Sequence, residues 1–193
     1  MNHDRYDDSY IRGILNTVKT IAMVGASAKD NRPSYFAFKY LMERGYNMIP
    51  INPGLAGKDL LGRKIYARLS EVLEPIDMVD VFRAAQYALP IVQEALTLTL
   101  RPRVIWMQLG VRSDEAAELA EANGMKVVMD RCPKIEYGRL SSEISWLGVN
   151  SRTLSSKKAQ LSGKGVQRMS LNRVTSAGGS AAVRIVREDE SKI

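Results

Sequence analysis

The chain has 193 residues, a formal net charge of +7, 45% hydrophobic residues and 25% charged ones; this length suits one domain of about 100–150 residues with an appendage, and the balance excludes a fibrous or wholly disordered chain. Nine of its 28 Lys and Arg, but only three of its 21 Asp and Glu, lie in 149–193. The basicity belongs to the tail, and the near-neutral remainder excludes a generally cationic nucleic-acid-binding domain.

From the amino terminus, Met1 to Asp8 is polar and acidic, without the basic and apolar stretches of a secretory leader, so a cytoplasmic location is expected. Residues 9–18 are predicted as a leading helix. Five short apolar runs follow, at 20–24, 47–51, 78–82, 104–108 and 126–129, separated by segments with apolar residues at helical spacing, such as Phe36, Tyr40 and Leu41 or Ile91, Ala95 and Leu96. This alternation predicts βα units and a parallel sheet with strands buried on both faces. Gly45 and Gly124 are placed to stop helices over 36–44 and 114–123. Ser113 is placed to cap the second of these, with Asp114 and Glu115 complementing the helix dipole in its first turn. No apolar run is long enough to cross a bilayer. After Trp146 the hydrophobic periodicity fades, which divides the chain into a domain at 1–148 and a basic, mostly flexible tail at 149–193.

The lone cysteine, Cys132, excludes an internal disulfide and, without Cys or His partners, a zinc site. The single histidine, His3, stands at the very start of the chain. No mechanism that needs a histidine of the folded domain as base, phosphocarrier or ligand is therefore expected, and no complete catalytic apparatus is legible.

The first strand runs into Gly25-Ala26-Ser27-Ala28-Lys29-Asp30-Asn31-Arg32-Pro33-Ser34, with a helix predicted to open near Pro33. A glycine there lets the backbone turn sharply and a ligand approach closely. The free amides and dipole of the following helix favour an anion, to which Arg32 and Ser34 can add donors. The second and third glycines of the dinucleotide fingerprint are absent. At the end of the second strand, where an NAD protein places Asp or Glu on the ribose, stands Asn52 followed by Pro53. NAD is disfavoured; a phosphorylated ribose, as in CoA or NADP, fits better, with Arg32 and Lys58 as the basic candidates.

With these positions in place, the sequence resembles the small CoA-binding proteins whose domain also forms the N-terminal part of the succinyl-CoA ligase alpha subunit. The likeness covers about residues 10–148. It rests on Val24-Gly25-Ala26-Ser27, Arg32-Pro33-Ser34-Tyr35, Pro50-Ile51-Asn52-Pro53, Val79-Asp80-Val81-Phe82-Arg83, Trp106-Met107-Gln108-Leu109-Gly110-Val111 and Asp130-Arg131-Cys132-Pro133, in that order. It implies a Rossmann-type three-layer α/β fold with a five-stranded parallel sheet, holding coenzyme A or an acyl-CoA non-covalently. By the same resemblance Gly25, Ala26, Ser27, Arg32 and Ser34 contact phosphate, with Pro33 opening the helix between the last two. Asn52 and Pro53 flank the adenosine, Val81, Phe82 and Arg83 line the nucleotide crevice, and Gln108 and Gly110 meet the ligand after the fourth strand. The larger ligase uses a phosphohistidine beyond the matched region and a second subunit, and neither carries over. The implied role is a carrier, sensor or regulatory partner of a CoA-using enzyme; no membrane partner is expected and a nucleic-acid partner is disfavoured.

Competing readings attach to several residues. Cys132 is either a packing residue or a thiol able to form a mixed disulfide with CoA. Phe82 and Trp106 either stack on adenine or fill the core. Arg83 pairs with phosphate or with a surface carboxylate. Glu136 and Glu143 are acid–base candidates without an evident partner. For the whole chain, the alternatives are an NADP-dependent oxidoreductase and a nucleic-acid binder acting through the tail; against the latter, no aromatic residue follows Trp146 to stack a base.

Overall fold

The computed structural model describes residues 1–141; the tail at 149–193 and Glu143 lie outside the described residues. In chain order the elements are α1 (Asp8–Thr17), β1 (Thr20–Val24), α2 (Pro33–Glu43), β2 (Asn47–Ile51), β3 (Asp59–Leu60), β4 (Arg63–Lys64), β5 (Met78–Val81), α3 (Ala88–Thr97), β6 (Val104–Met107), α4 (Asp114–Ala122), β7 (Lys126–Val128) and α5 (Pro133–Leu140). Short 3-10 turns at Pro53–Leu55, Leu69–Glu71 and Ala85–Tyr87 join them.

Five strands form one parallel sheet in the order β2-β1-β5-β6-β7. Side chains alternate between two cores because successive residues of a strand face opposite ways. Ile21, Met23, Met78, Val104 and Trp106 point to a layer made by α1, α2 and α5, whereas Ala22, Val79, Val81, Ile105 and Val127 point to α3 and α4. The sheet is thus covered on both faces, as its apolar strands require. The fold is the three-layer Rossmann-type α/β arrangement.

Gly45 and Gly124 take positive φ, +84° and +78°, just past α2 and α4, and Ser113 caps α4 through the Ala116 amide at 3.3 Å. Two features depart from the expectations above. The excursion between β2 and β5 folds into the β3/β4 hairpin, turned at Leu61 and Gly62 with φ of +52° and +78°; its two-residue strands are too short to show a period. His3 is packed into the fold, 9% exposed, with Nδ1 2.8 Å from the Tyr6 hydroxyl and Nε2 3.4 Å from Glu121. The domain does therefore own a histidine, at the outer flank beside α4, lining neither of the clefts described below.

Candidate functional site

In the sheet order, the chain leaves β1 toward β2 on one side and returns to β5 on the other. The connections after β1 and β5 therefore diverge and leave a crevice at the carboxyl edge, where open α/β sheets take ligands. Gly25 occupies that point. Its φ is +96°, its amide donates to the Ile51 carbonyl at 2.9 Å, and a Cβ there would collide with the Phe82 carbonyl oxygen and lie 2.9 Å from Arg83 Cδ. Only glycine lets the first loop pass this close to the end of β5.

The loop beyond is tied down yet leaves several of its amides unmatched. Asn52 Nδ2 donates to the Ala26 carbonyl at 2.7 Å while Asn52 Oδ1 accepts from the Gly54 amide at 3.0 Å, and Ser27 Oγ accepts from the Lys29 amide at 3.2 Å. Among the described residues no hydrogen bond uses the amides of Ala26, Ser27 or Ser34. Arg32, the exposed residue before α2, has no ion pair among them either. The Ser34 amide at the start of α2 and the Ser27 amide of the first loop, with Arg32 between them in the chain, form the donor set of an anion site, whereas Ala26 is fully buried.

Two clefts flank this turn, and Arg83 lines both. The smaller, of about 380 Å³, brings Gly25, Pro53 and Arg83 together with Arg68 and Tyr87; the Arg83 guanidinium lies 4.8 Å from the Tyr87 ring centroid. The larger, of about 700 Å³, joins Pro33, Phe82, Arg83, Gln108 and Gly110 with Cys132. Ala26, Ser27, Arg32, Ser34 and Asn52 lie in or beside the first loop but line neither cleft. Val81 is wholly buried against α3, so what its segment offers the crevice comes from Phe82 and Arg83. Trp106 is likewise fully buried, its indole N–H donating to the Arg131 carbonyl at 2.7 Å, which places it in the core. Glu136 is held by Arg139 at 2.7 Å.

Under the larger cleft lies a residue the sequence reading passed over. Asp80, central in β5 and wholly buried, accepts from Gln108 Nε2 at 2.9 Å through Oδ1, while Oδ2 has no partner among the described residues. Burial pushes its carboxyl up to about 7, and the Gln108 amide opposes this only in part. The signal was an acid inside the apolar run Met78-Val79-Asp80-Val81. Burial also raises the Cys132 thiol, with the Asp80 charge adding to it, although the backbone N–H groups of Ile135 and Lys134 pull the other way. The thiol is 8% exposed and not activated, as in the packing reading.

Known proteins share the sequence and the fold. The CoA binding domain family matches residues 19–138. The uncharacterized protein YneT of Bacillus subtilis is 38% identical over 127 residues, 66% of this chain and 91% of YneT. A Thermus thermophilus structure, cell-free ID.343, is 38% identical with a TM-score of 0.65, covering 69% of this chain and 98% of that one. A hypothetical protein from Pyrococcus horikoshii OT3 is 34% identical with a TM-score of 0.66, covering 72% and 99%. No helix among the described residues is long and apolar enough to cross a membrane. The match over most of the folded region makes this chain a member of the CoA binding domain family.

Proposed function

We propose that this protein binds coenzyme A non-covalently at the carboxyl edge of the sheet, in the cytoplasm, as a carrier, sensor or regulatory partner of a CoA-using enzyme rather than as a catalyst. The observation that carries this reading is the pairing of the Gly25 turn, which only glycine permits, with the unmatched amides of Ser27 in the loop that follows and of Ser34 in the first turn of α2. Those amides and Arg32 would hold the diphosphate. Pro53 and Tyr87 in the smaller cleft would flank the adenine, with Asn52 bracing the loop between them. Arg83, exposed and without a carboxylate partner among the described residues, would reach phosphate from the junction of the clefts. Phe82, Gln108 and Gly110 would receive the pantetheine end in the larger one.

A thermal-shift titration with CoA, 3′-dephospho-CoA, NAD and NADP tests this, because a ligand selective for the native state raises its stability by mass action. CoA should give the largest shift, about 2.7 kcal/mol of added stability at a hundred times its Kd. A larger response to NADP than to CoA would move the protein to the oxidoreductase class.

A further inference from the structure

Beyond CoA itself, we infer that the larger cleft seats a straight apolar acyl chain, so that the preferred ligand is a fatty acyl thioester of CoA. This rests on the reading above and deepens it. Among the described residues, three of the large apolar side chains left exposed converge on this one cleft: Phe36 at 50%, Leu109 at 57% and Ile135 at 45%. They come from α2, the loop after β6 and α5. Convergence from three elements is not the scatter of single surface residues that needs no explanation; it marks a binding surface.

The polarity of the cleft gives the ligand a direction. Its floor holds Gln108 and Cys132, 4% and 8% exposed, while its rim is the apolar trio. A polar thioester end therefore matches the floor and a hydrocarbon matches the rim. Among the described residues no carboxylate lines it, and the two cations that do each lie against an aromatic ring. Arg83 is shared with the nucleotide cleft, and the Lys134 ammonium lies 5.9 Å and 5.8 Å from the Phe36 and Tyr40 ring centroids. Neutral hydrocarbon is what remains to be matched. At about 700 Å³ this cleft is nearly twice the volume of the one beside Gly25, and Arg83 lines both.

The test is calorimetric binding of the full chain to CoA and to its acetyl, butyryl, hexanoyl and octanoyl thioesters. Complete burial of a methylene tightens binding about fourfold; on a half-exposed rim about twofold per methylene is expected, so octanoyl-CoA, six methylenes longer, should bind about sixtyfold more tightly than acetyl-CoA. In Phe36→Ser/Ile135→Ser the ratio between those two ligands should fall toward one. Leu109→Ser, on an exposed loop, makes the same measurement if the double variant does not fold. Tight CoA binding with a flat chain-length series would overturn this inference alone, as would tighter binding of an ω-carboxyl thioester than of the straight chain of equal length. So would a change of oligomeric state in the variants with the chain-length slope intact, which would make the trio a contact between copies. No binding by CoA or any thioester would overturn this inference and the parent reading together.

Discussion

At the amino edge of the sheet, one Asp77 oxygen accepts the amides of Lys19 and Thr20 at 2.7 Å and 3.0 Å and the other accepts the Arg103 guanidinium at 2.7 Å. At the carboxyl edge, the amides of Ala26, Ser27 and Ser34 go unused and Arg32 has no ion pair among the described residues. Both edges are ends of the same five strands. Buried or half-buried backbone donors are normally matched, and leaving them open costs stability unless water or a ligand takes over. One edge is therefore closed to hold the fold, while the other is kept open for binding at some expense of stability.

The largest effect expected from breaking this contrast is at Gly25. In Gly25→Ala the added Cβ meets the Phe82 carbonyl while the backbone stays in a region unfavourable to L-residues. A loss of about 2–4 kcal/mol of stability is expected, together with loss of the CoA response. Gly13→Ala in α1, where nothing lies within 4 Å of the new atom, should instead stabilise by up to about 1 kcal/mol. Urea denaturation of the pair measures both; equal behaviour would remove the special role of the first turn.

Two buried or half-buried aspartates sharpen the comparison through pH. Asp80, beneath the open edge, has its folded pKa raised to about 7, so between about 4 and 7 the native state holds a proton that the unfolded chain has released. Stability should fall as pH rises through that window, by a few kcal/mol in all, and Asp80→Asn should flatten the profile. Asp77, at the closed edge, is the opposite case. Burial pushes its carboxyl up, but the Thr20 and Lys19 amides and Arg103 outweigh that and hold it below the usual range. Its contribution is present at neutral pH and lost as pH falls below about 4. Asp77→Ala should cost about 1–2 kcal/mol at pH 7 and leave CoA binding alone. Chemical denaturation from pH 3 to pH 8 would expose a single monotonic trend if either sign were wrong.

How much of this was legible in the sequence follows the same division. The apolar runs and the helix stops at Gly45 and Gly124 are local signals, and they placed all five strands of the main sheet. The first two strands match at both ends, and the last three end a residue early because Phe82, Gln108 and Met129 continue the apolar or extended pattern after pairing stops. The first loop was legible because glycine followed by a helix-opening proline has few physical readings. Asp80 was not, because only the packed sheet shows that this acid has one oxygen matched and the other left alone. Nor were Phe36, Leu109 and Ile135, far apart in the chain and joined only by tertiary packing. His3 was misjudged from its position at the terminus, where Tyr6 and Glu121 in fact hold it in the fold.

The smallest effect, and the most selective, is expected at Arg32. It is exposed, precedes α2 and has no ion pair among the described residues, so Arg32→Ala should leave the melting temperature of the free protein within about a degree, as surface substitutions do. Binding is another matter. A guanidinium facing a diphosphate from the start of a helix adds a charge-assisted contact, and its removal should weaken CoA by about tenfold at low salt. The deficit should shrink as ionic strength rises, because the pair is open to solvent, whereas a deficit caused by a displaced loop would not. Arg32→Lys should recover part of the affinity by restoring charge without the planar fork. A CoA response unchanged in Arg32→Ala would leave the phosphate grip to the open amides and Arg83, and the expected salt dependence would then follow Arg83 instead.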